Sequence, residues 1–123
     1  MTSTSTGGWG RALLRATLIG TVLQLALAVF GHDDARIASL FAAGGMFLSA
    51  LAGFLFGRWS GPLARTGAIA GGAFAGAACA LLGILESYSL KDVPGWVIAF
   101  GPSSSAVTGA IGGFLGRFAR ART

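Results

Sequence analysis

The sequence predicts an all-α integral membrane protein, in which four transmembrane helices pack as a bundle of two tandem helical hairpins. Only 11% of the 123 residues are charged, and the mean hydropathy is +0.73. Soluble proteins contain about 25% charged residues and about 7% glycine, whereas this chain contains 21 glycines. These values exclude a soluble globular domain, and the length allows one domain.

The first apolar run follows a polar N-terminal tail. Residues 1–10 are mainly Ser, Thr and Gly, a composition that predicts disorder. Residues 12–30 are apolar except for Arg15 and Gln24, and Arg15 is near enough to one end to reach lipid headgroups. This run predicts the first span and not a cleaved signal peptide, because the next run supplies its hairpin partner.

Three further runs predict the remaining spans. Residues 37–56 and 66–85 each contain no charge over 20 residues, which is long enough for the roughly 30 Å hydrocarbon core of a bilayer. Residues 97–118 predict a fourth span, kinked near Pro102 because proline lacks a backbone N–H. The predicted organisation is a tail at 1–10, a transmembrane domain at 11–118 and a basic tail at 119–123.

The charge distribution predicts the orientation of these spans. Lys and Arg in short loops stay on the cytoplasmic side. Seven basic residues flank one side, whereas two basic and all four acidic residues flank the other. Both termini are therefore expected in the cytoplasm, with the chain in a bacterial inner (plasma) membrane. The seven residues are Arg11, Arg15, Arg58, Arg65, Arg117, Arg120 and Arg122.

The arginines predict contact with the lipid bilayer. They lie at the ends of apolar runs and not in a basic stretch interleaved with polar surface, so we expect no nucleic-acid partner. Each guanidinium would attract anionic headgroups with about 1 kcal/mol. The residues for which we predict this role are Arg58, Arg65, Arg117 and Arg120.

Small residues recur four apart in three of the spans. Such residues share one helix face, where they let another backbone approach closely. These faces predict packing within the bundle, or association with a second copy or a larger membrane complex. The predicted packing residues are Gly45, Ser49, Gly53 and Gly57; Gly72 and Gly76; and Ser104, Thr108, Gly112 and Gly116.

The second and fourth spans resemble each other. At an offset of 59, Gly45 to Trp59 aligns with Ser104 to Phe118 without a gap. This match predicts two parallel hairpin repeats, and the alternative is that two helices rich in small residues match by chance.

Two polar residues are candidates for transport or binding. Glu86 ends the third apolar run, where it either exchanges protons with a substrate or faces water. Gln24 is the only strongly polar side chain deep within a span, and such an amide more often bonds a neighbouring helix than a substrate.

The segment around Pro102 is a further candidate binding site. It either starts a half-helix whose free N–H groups face an anion, or forms a kink whose freed carbonyls bond serine hydroxyls. The candidate residues are Gly101, Pro102, Ser103 and Ser105.

The loop after the first span holds the only histidine, His32, beside Asp33 and Asp34. Three adjacent residues rarely converge on one ion, so we expect Asp33 or Asp34 to cap the second helix. One His and one Cys cannot supply a zinc site, and no nucleophile with an adjacent base is present. The sequence therefore predicts no enzymatic activity, no cofactor and no metal.

The expected function is that of a non-enzymatic structural or accessory subunit, which associates through its Gly/Ser-rich faces as a homo-oligomer or within a larger membrane complex. The alternative is a small oligomeric transporter or channel that uses Glu86 or the helix break at Gly101–Ser105. The first span lacks the glutamate of small multidrug transporters, and the chain has no asparagine, which fluoride channels carry.

Overall fold

The computed structural model is all-helical, with the helices α1 (Thr2–Asp33), α2 (Phe41–Trp59), α3 (Arg65–Ser89) and α4 (Val97–Ala121) in chain order. The structure describes residues 2–34, 36, 40–60 and 65–121, without the side chains of residues 2–8, 41, 42, 120 and 121. Of the described helices, α1, α3 and α4 are long and apolar enough to cross a membrane. Residues 37–39 of the predicted second span lie outside the described residues.

The helices at both ends of the chain extend beyond the predicted spans. Residues 2–10, predicted as a disordered tail, belong to α1, and α4 continues to Ala121 within the predicted basic tail. Adding a residue to an existing helix needs no new nucleus. A long apolar helix therefore propagates into flanking Ser, Thr, Gly and Arg residues that would not start a helix themselves.

Helices α2 and α3 pack against each other, and both α1 and α4 pack on that pair. Most buried hydrophobic residues are alanines, and the largest fully buried side chain is Phe56. Polar Gln24 and Ser49 are buried, while Phe47 and Phe74 are exposed. This distribution is the reverse of that in a soluble protein.

The contact between α2 and α4 consists of backbone against backbone. A Cβ atom at Gly53 would overlap the carbonyl oxygen of Gly109, and one at Gly112 would overlap that of Ala50. The two contacts are related by the sequence offset, because Gly112 lies 59 residues after Gly53 and Ala50 lies 59 residues before Gly109. A second pair of contacts shows the same offset: Gly57 meets the carbonyl oxygen of Gly113, and Gly116 meets that of Phe54. The sequence offset therefore relates these two parallel helices in space as well.

Helix α3 packs against α4 in a similar way. A Cβ at Gly76 would lie 2.6 Å from the carbonyl oxygen of Ser105 and 3.0 Å from the Cα of Gly109. A Cβ at Gly72 would overlap the carbonyl oxygen of Gly109. Glycine thus permits close approach on two sides of α4, which holds this helix against both α2 and α3.

Candidate ligand-binding cavity

A cavity of about 380 Å³ lies between the four helices, at the end of the bundle that carries the turn between α3 and α4. Its volume falls in the usual range of ligand sites, about 300–1,000 Å³. Most of its wall is apolar, with contributions from Leu27, Met46, Ile84 and Val97. Trp96 and Phe100 also line it and are largely exposed, so the cavity reaches the surface of the bundle.

The amide of Gln24 forms a polar floor to this cavity. Its Nε2 donates to the carbonyl oxygen of Gly45 at 3.0 Å and to Ser49 Oγ at 3.2 Å, with a longer contact to Cys79 Sγ at 3.8 Å. The hydroxyl of Ser49 donates in turn to the carbonyl oxygen of Gly76 at 3.2 Å. One buried amide therefore joins α1 to α2 and α3.

Three polar atoms of the lining have no hydrogen-bond partner in the described part of the chain. The carbonyl of Gly45 only accepts hydrogen bonds, so the contact with it fixes Nε2 of Gln24 on that side and leaves Oε1 unpaired. The hydroxyls of Ser87 and Ser105 are the other two. Gln24, Ser87 and Ser105 are 6%, 5% and 3% exposed, and all three line the cavity.

The cavity brings together only part of the predicted binding set. Gln24, Gly101 and Ser105 line it, whereas Pro102 and Ser103 do not. Glu86 also lies outside the lining, although it precedes the lining residue Ser87. Its Oε1 is buried and has no hydrogen-bond partner among the described residues.

Helix α4 starts at Val97, where the fourth span was predicted to start, and runs through Pro102, so it does not begin at Pro102 as the half-helix alternative requires. Its first N–H groups are occupied, since Val97 donates to the carbonyl of Pro94 at 3.2 Å and Phe100 to that of Trp96 at 3.1 Å. The hydroxyl of Ser103 donates to the carbonyl of Ala99 at 2.8 Å. The backbone around Pro102 therefore presents a continuous helix and not a half-helix terminus to the cavity.

The predicted packing residues, which recur four apart and are called the ladder residues below, lie at different depths of the bundle. Ser49 is buried in the Gln24 network, and the hydroxyl of Thr108 donates to the carbonyl of Ser105 at 3.1 Å. Gly45 and Ser104 line the cavity. The remaining ladder residues, at which a Cβ would meet another helix backbone, are Gly53, Gly57, Gly72, Gly76, Gly112 and Gly116.

The predicted headgroup-binding arginines lie at the end of the bundle opposite the cavity. Arg58 and Arg65 are exposed, and Arg117 is half-buried. A Cβ added to Gly116 would lie 2.9 Å from the backbone N of Arg58, and one added to Gly57 would lie 2.9 Å from that of Arg117. The side chain of Arg120 lies outside the described part of the structure.

The loop histidine pairs with a residue distant in sequence. His32 Nδ1 lies 2.9 Å from Asp92 Oδ2, which ties the end of α1 to the turn between α3 and α4. Asp34 Oδ1 accepts from the backbone N of Arg36 at 2.9 Å. Arg36 is helical, so this contact has the geometry of a side-chain N-cap. Helix α2 itself starts at Phe41, and its N-cap Leu40 makes no side-chain hydrogen bond. Residues 37–39, between Arg36 and Leu40, lie outside the described residues, so the cap of the second span by Asp33 or Asp34 stays a prediction.

Sequence reasoning missed Ser87, Asp92 and Cys79 as parts of this region. Cys79 follows Gly72 and Gly76 on the buried face of α3. The spacing of these residues by four and then three positions places Cys79 on the same helix face, and this is the sequence signal that could have identified it. Asp92 gave no such signal, because its contact with His32 spans 60 residues. In the described part of the chain, no three His, Cys, Asp or Glu side chains converge as metal ligands do.

Comparisons with protein-family models, with curated proteins and with solved structures found no match. The function of the cavity is therefore inferred from the chemistry of its lining.

Proposed function

We propose that this chain is a non-enzymatic integral protein of the bacterial inner (plasma) membrane that crosses the bilayer four times and serves as a structural or accessory subunit. The observation that supports this proposal best is the backbone packing around α4. Gly109 meets both Gly53 of α2 and Gly72 of α3 with no room for a side chain. A channel through a single bundle needs a continuous polar path, and this packing leaves no room for one between α2, α3 and α4.

The outer surface supports a membrane location. Large apolar side chains are exposed on every helix, among them Leu18, Phe47, Phe74 and Val107. Soluble monomers rarely expose contiguous apolar patches of more than a few hundred Å², whereas a bilayer covers such a surface without cost. The glycine-rich faces are used within the chain, so a second copy or a larger complex would contact these outward apolar faces instead.

The orientation follows from the positive-inside rule, with both termini cytoplasmic. We expect Ser89→Cys to react in intact cells with a membrane-impermeant maleimide, and Thr66→Cys to react only after the cells are permeabilised. Both positions are exposed in the folded chain.

Mass spectrometry of the labelled protein measures this reaction. The wild-type chain is the control, because its only cysteine, Cys79, is fully buried. Labelling of Thr66→Cys but not Ser89→Cys in intact cells would reverse the orientation.

The second candidate function is a small oligomeric transporter, and the cavity with its three unpartnered polar atoms favours it. Proton coupling would require a carboxylate that loses and regains its charge in each cycle. Glu86, with its buried Oε1, is the candidate for that role. An accessory subunit has no such requirement.

We expect Glu86→Gln to leave the bundle folded and no less stable than the wild type, because the amide keeps the shape of the carboxyl group and removes a charge whose Oε1 is buried without a partner among the described residues. The wild-type protein in liposomes is expected to carry no proton flux, measured with an entrapped pH-sensitive dye. Proton flux through the wild-type protein that is lost in Glu86→Gln, while the variant stays folded, would replace the accessory function by the transporter.

A further inference from the structure

We propose that the cavity binds a neutral amphiphile, a molecule with an apolar body and one hydroxyl or primary amide group. The proposal rests on the membrane location proposed above and holds whether or not the ligand is moved across the bilayer. It assigns Gln24, Ser87 and Ser105 as the polar contacts of the ligand and the apolar wall as the contact surface of its body.

The volume and the wall of the cavity determine the size and polarity of the ligand. The volume of about 380 Å³ corresponds to roughly a dozen waters at about 30 Å³ each. Water needs two to four polar partners, and the cavity wall is largely apolar. A single apolar molecule is therefore a better occupant than a water cluster.

The unpaired polar atoms determine the head group. Oε1 of Gln24 only accepts a hydrogen bond, so the ligand must donate one. The hydroxyls of Ser87 and Ser105 donate or accept, so they match either a hydroxyl or an amide. A ligand that donates to Oε1 or pairs with either serine hydroxyl gains a hydrogen bond that the described chain does not supply.

A charged head group fits this site poorly. The described lining contains one ionisable side chain, Asp92, and this carboxyl is already paired with His32 at 2.9 Å. Neutral amide and hydroxyl groups cannot compensate the loss of hydration of a full charge. The chemistry of the lining therefore selects a neutral ligand.

Gly45 keeps the acceptor of Gln24 open. A Cβ at Gly45 would lie 3.5 Å from Oε1, which is an ordinary van der Waals contact, and would meet nothing else within 4 Å. Alanine at this position therefore covers the acceptor without a clash. It also favours the helix, because alanine has a higher helix propensity than glycine.

The test uses 2-naphthol as the probe and the full chain in phospholipid nanodiscs. The background variant carries Trp9→Phe and Trp59→Phe, which leaves Trp96 at the cavity as the only tryptophan. Naphthol absorbs tryptophan emission, so bound probe quenches Trp96. The chain must first co-elute with the nanodiscs, since failure to do so would overturn the membrane location and this proposal with it.

We expect saturable quenching of Trp96 by 2-naphthol. An excess of 2-methylnaphthalene, which has a methyl group in place of the hydroxyl, or of the charged 2-naphthoate is expected not to displace bound 2-naphthol and so not to restore the emission. Gly45→Ala is expected to remove the saturable component. Ser105→Ala should weaken binding about fivefold and leave the thermal unfolding temperature unchanged, because this hydroxyl has no partner in the described chain.

Gly10→Ala is the matched control, because a Cβ at Gly10 meets nothing within 4 Å and the position is far from the cavity. It should bind 2-naphthol like the background variant. Linear quenching by 2-naphthol throughout would mean partition into lipid and would overturn the proposal. Displacement of bound 2-naphthol by 2-methylnaphthalene or by 2-naphthoate, or saturable binding that is unchanged in Gly45→Ala, would also overturn it.

Discussion

Gly112→Leu is expected to destabilise the folded bundle strongly. The position of a Cβ is set by the backbone, and at Gly112 it would overlap the carbonyl oxygen of Ala50 and lie 2.9 Å from the backbone N of Phe54. No change of rotamer relieves this overlap, so α2 and α4 must move apart. We expect a loss of about 3 kcal/mol or more in the free energy of unfolding, at the upper end of the cost of overpacking.

Gly53→Leu should have nearly the same effect, because it makes the equivalent contact with the carbonyl of Gly109. Unfolding in detergent by a denaturing surfactant, followed by circular dichroism, measures both. Gly10→Leu is the control, since a Cβ there meets nothing within 4 Å, and it should unfold like the wild type. Wild-type stability of both Gly53→Leu and Gly112→Leu would mean that these faces contact lipid and not each other.

The helical class of the fold was predictable because its signals are local. Hydropathy over about 20 residues reports that a segment can span a bilayer, and a spacing of four reports that residues share a face. The ladder from Gly53 to Gly57 and its copy from Gly112 to Gly116 needed no knowledge of tertiary structure. What spacing did not reveal is which partner each face meets.

The cavity was not predictable because it depends on how far each helix is displaced along its neighbours. Gly45 and Ser104 continue the ladders of Gly53 and Gly112, yet they line a cavity, while Gly53 and Gly112 meet a backbone. The sequence identified Gln24 as a polar group within a span, but its hydrogen bonds to α2 reach across 21 and 25 residues. Only the assembled bundle determines which of its two amide atoms stays unpaired.

Phe56→Ala is expected to cost about 3 kcal/mol in the free energy of unfolding. Phe56 is 1% exposed and packs against Ala12 and Ala16 of α1. On its other side, a Cβ at Gly71 of α3 would overlap its ring. Removal of the ring leaves a void between three helices. The expected cost lies at the lower end of the range for Phe→Ala, because in the unfolded state lipid or detergent solvates the ring and less free energy is gained by burying it.

The effect of Gly71→Ala should therefore reverse its sign when Phe56 is removed. In the wild type the added methyl group displaces an enclosed ring, and we expect a loss of about 1 kcal/mol. In Phe56→Ala the same methyl group enters the void and improves helix propensity, and we expect a gain of about 1 kcal/mol. The resulting coupling of about 2 kcal/mol is within the range for residues in contact.

Four unfolding curves in the same detergent, for the wild type, the two single variants and the double variant, give this coupling. Gly10→Ala in the wild-type and Phe56→Ala backgrounds is the control, and its effect should be the same in both because a Cβ at Gly10 meets nothing within 4 Å. If Gly71→Ala and Phe56→Ala add within about 0.5 kcal/mol, the ring does not lie against Gly71. Helices α2 and α3 would then meet at this end of the bundle through residues other than Phe56 and Gly71.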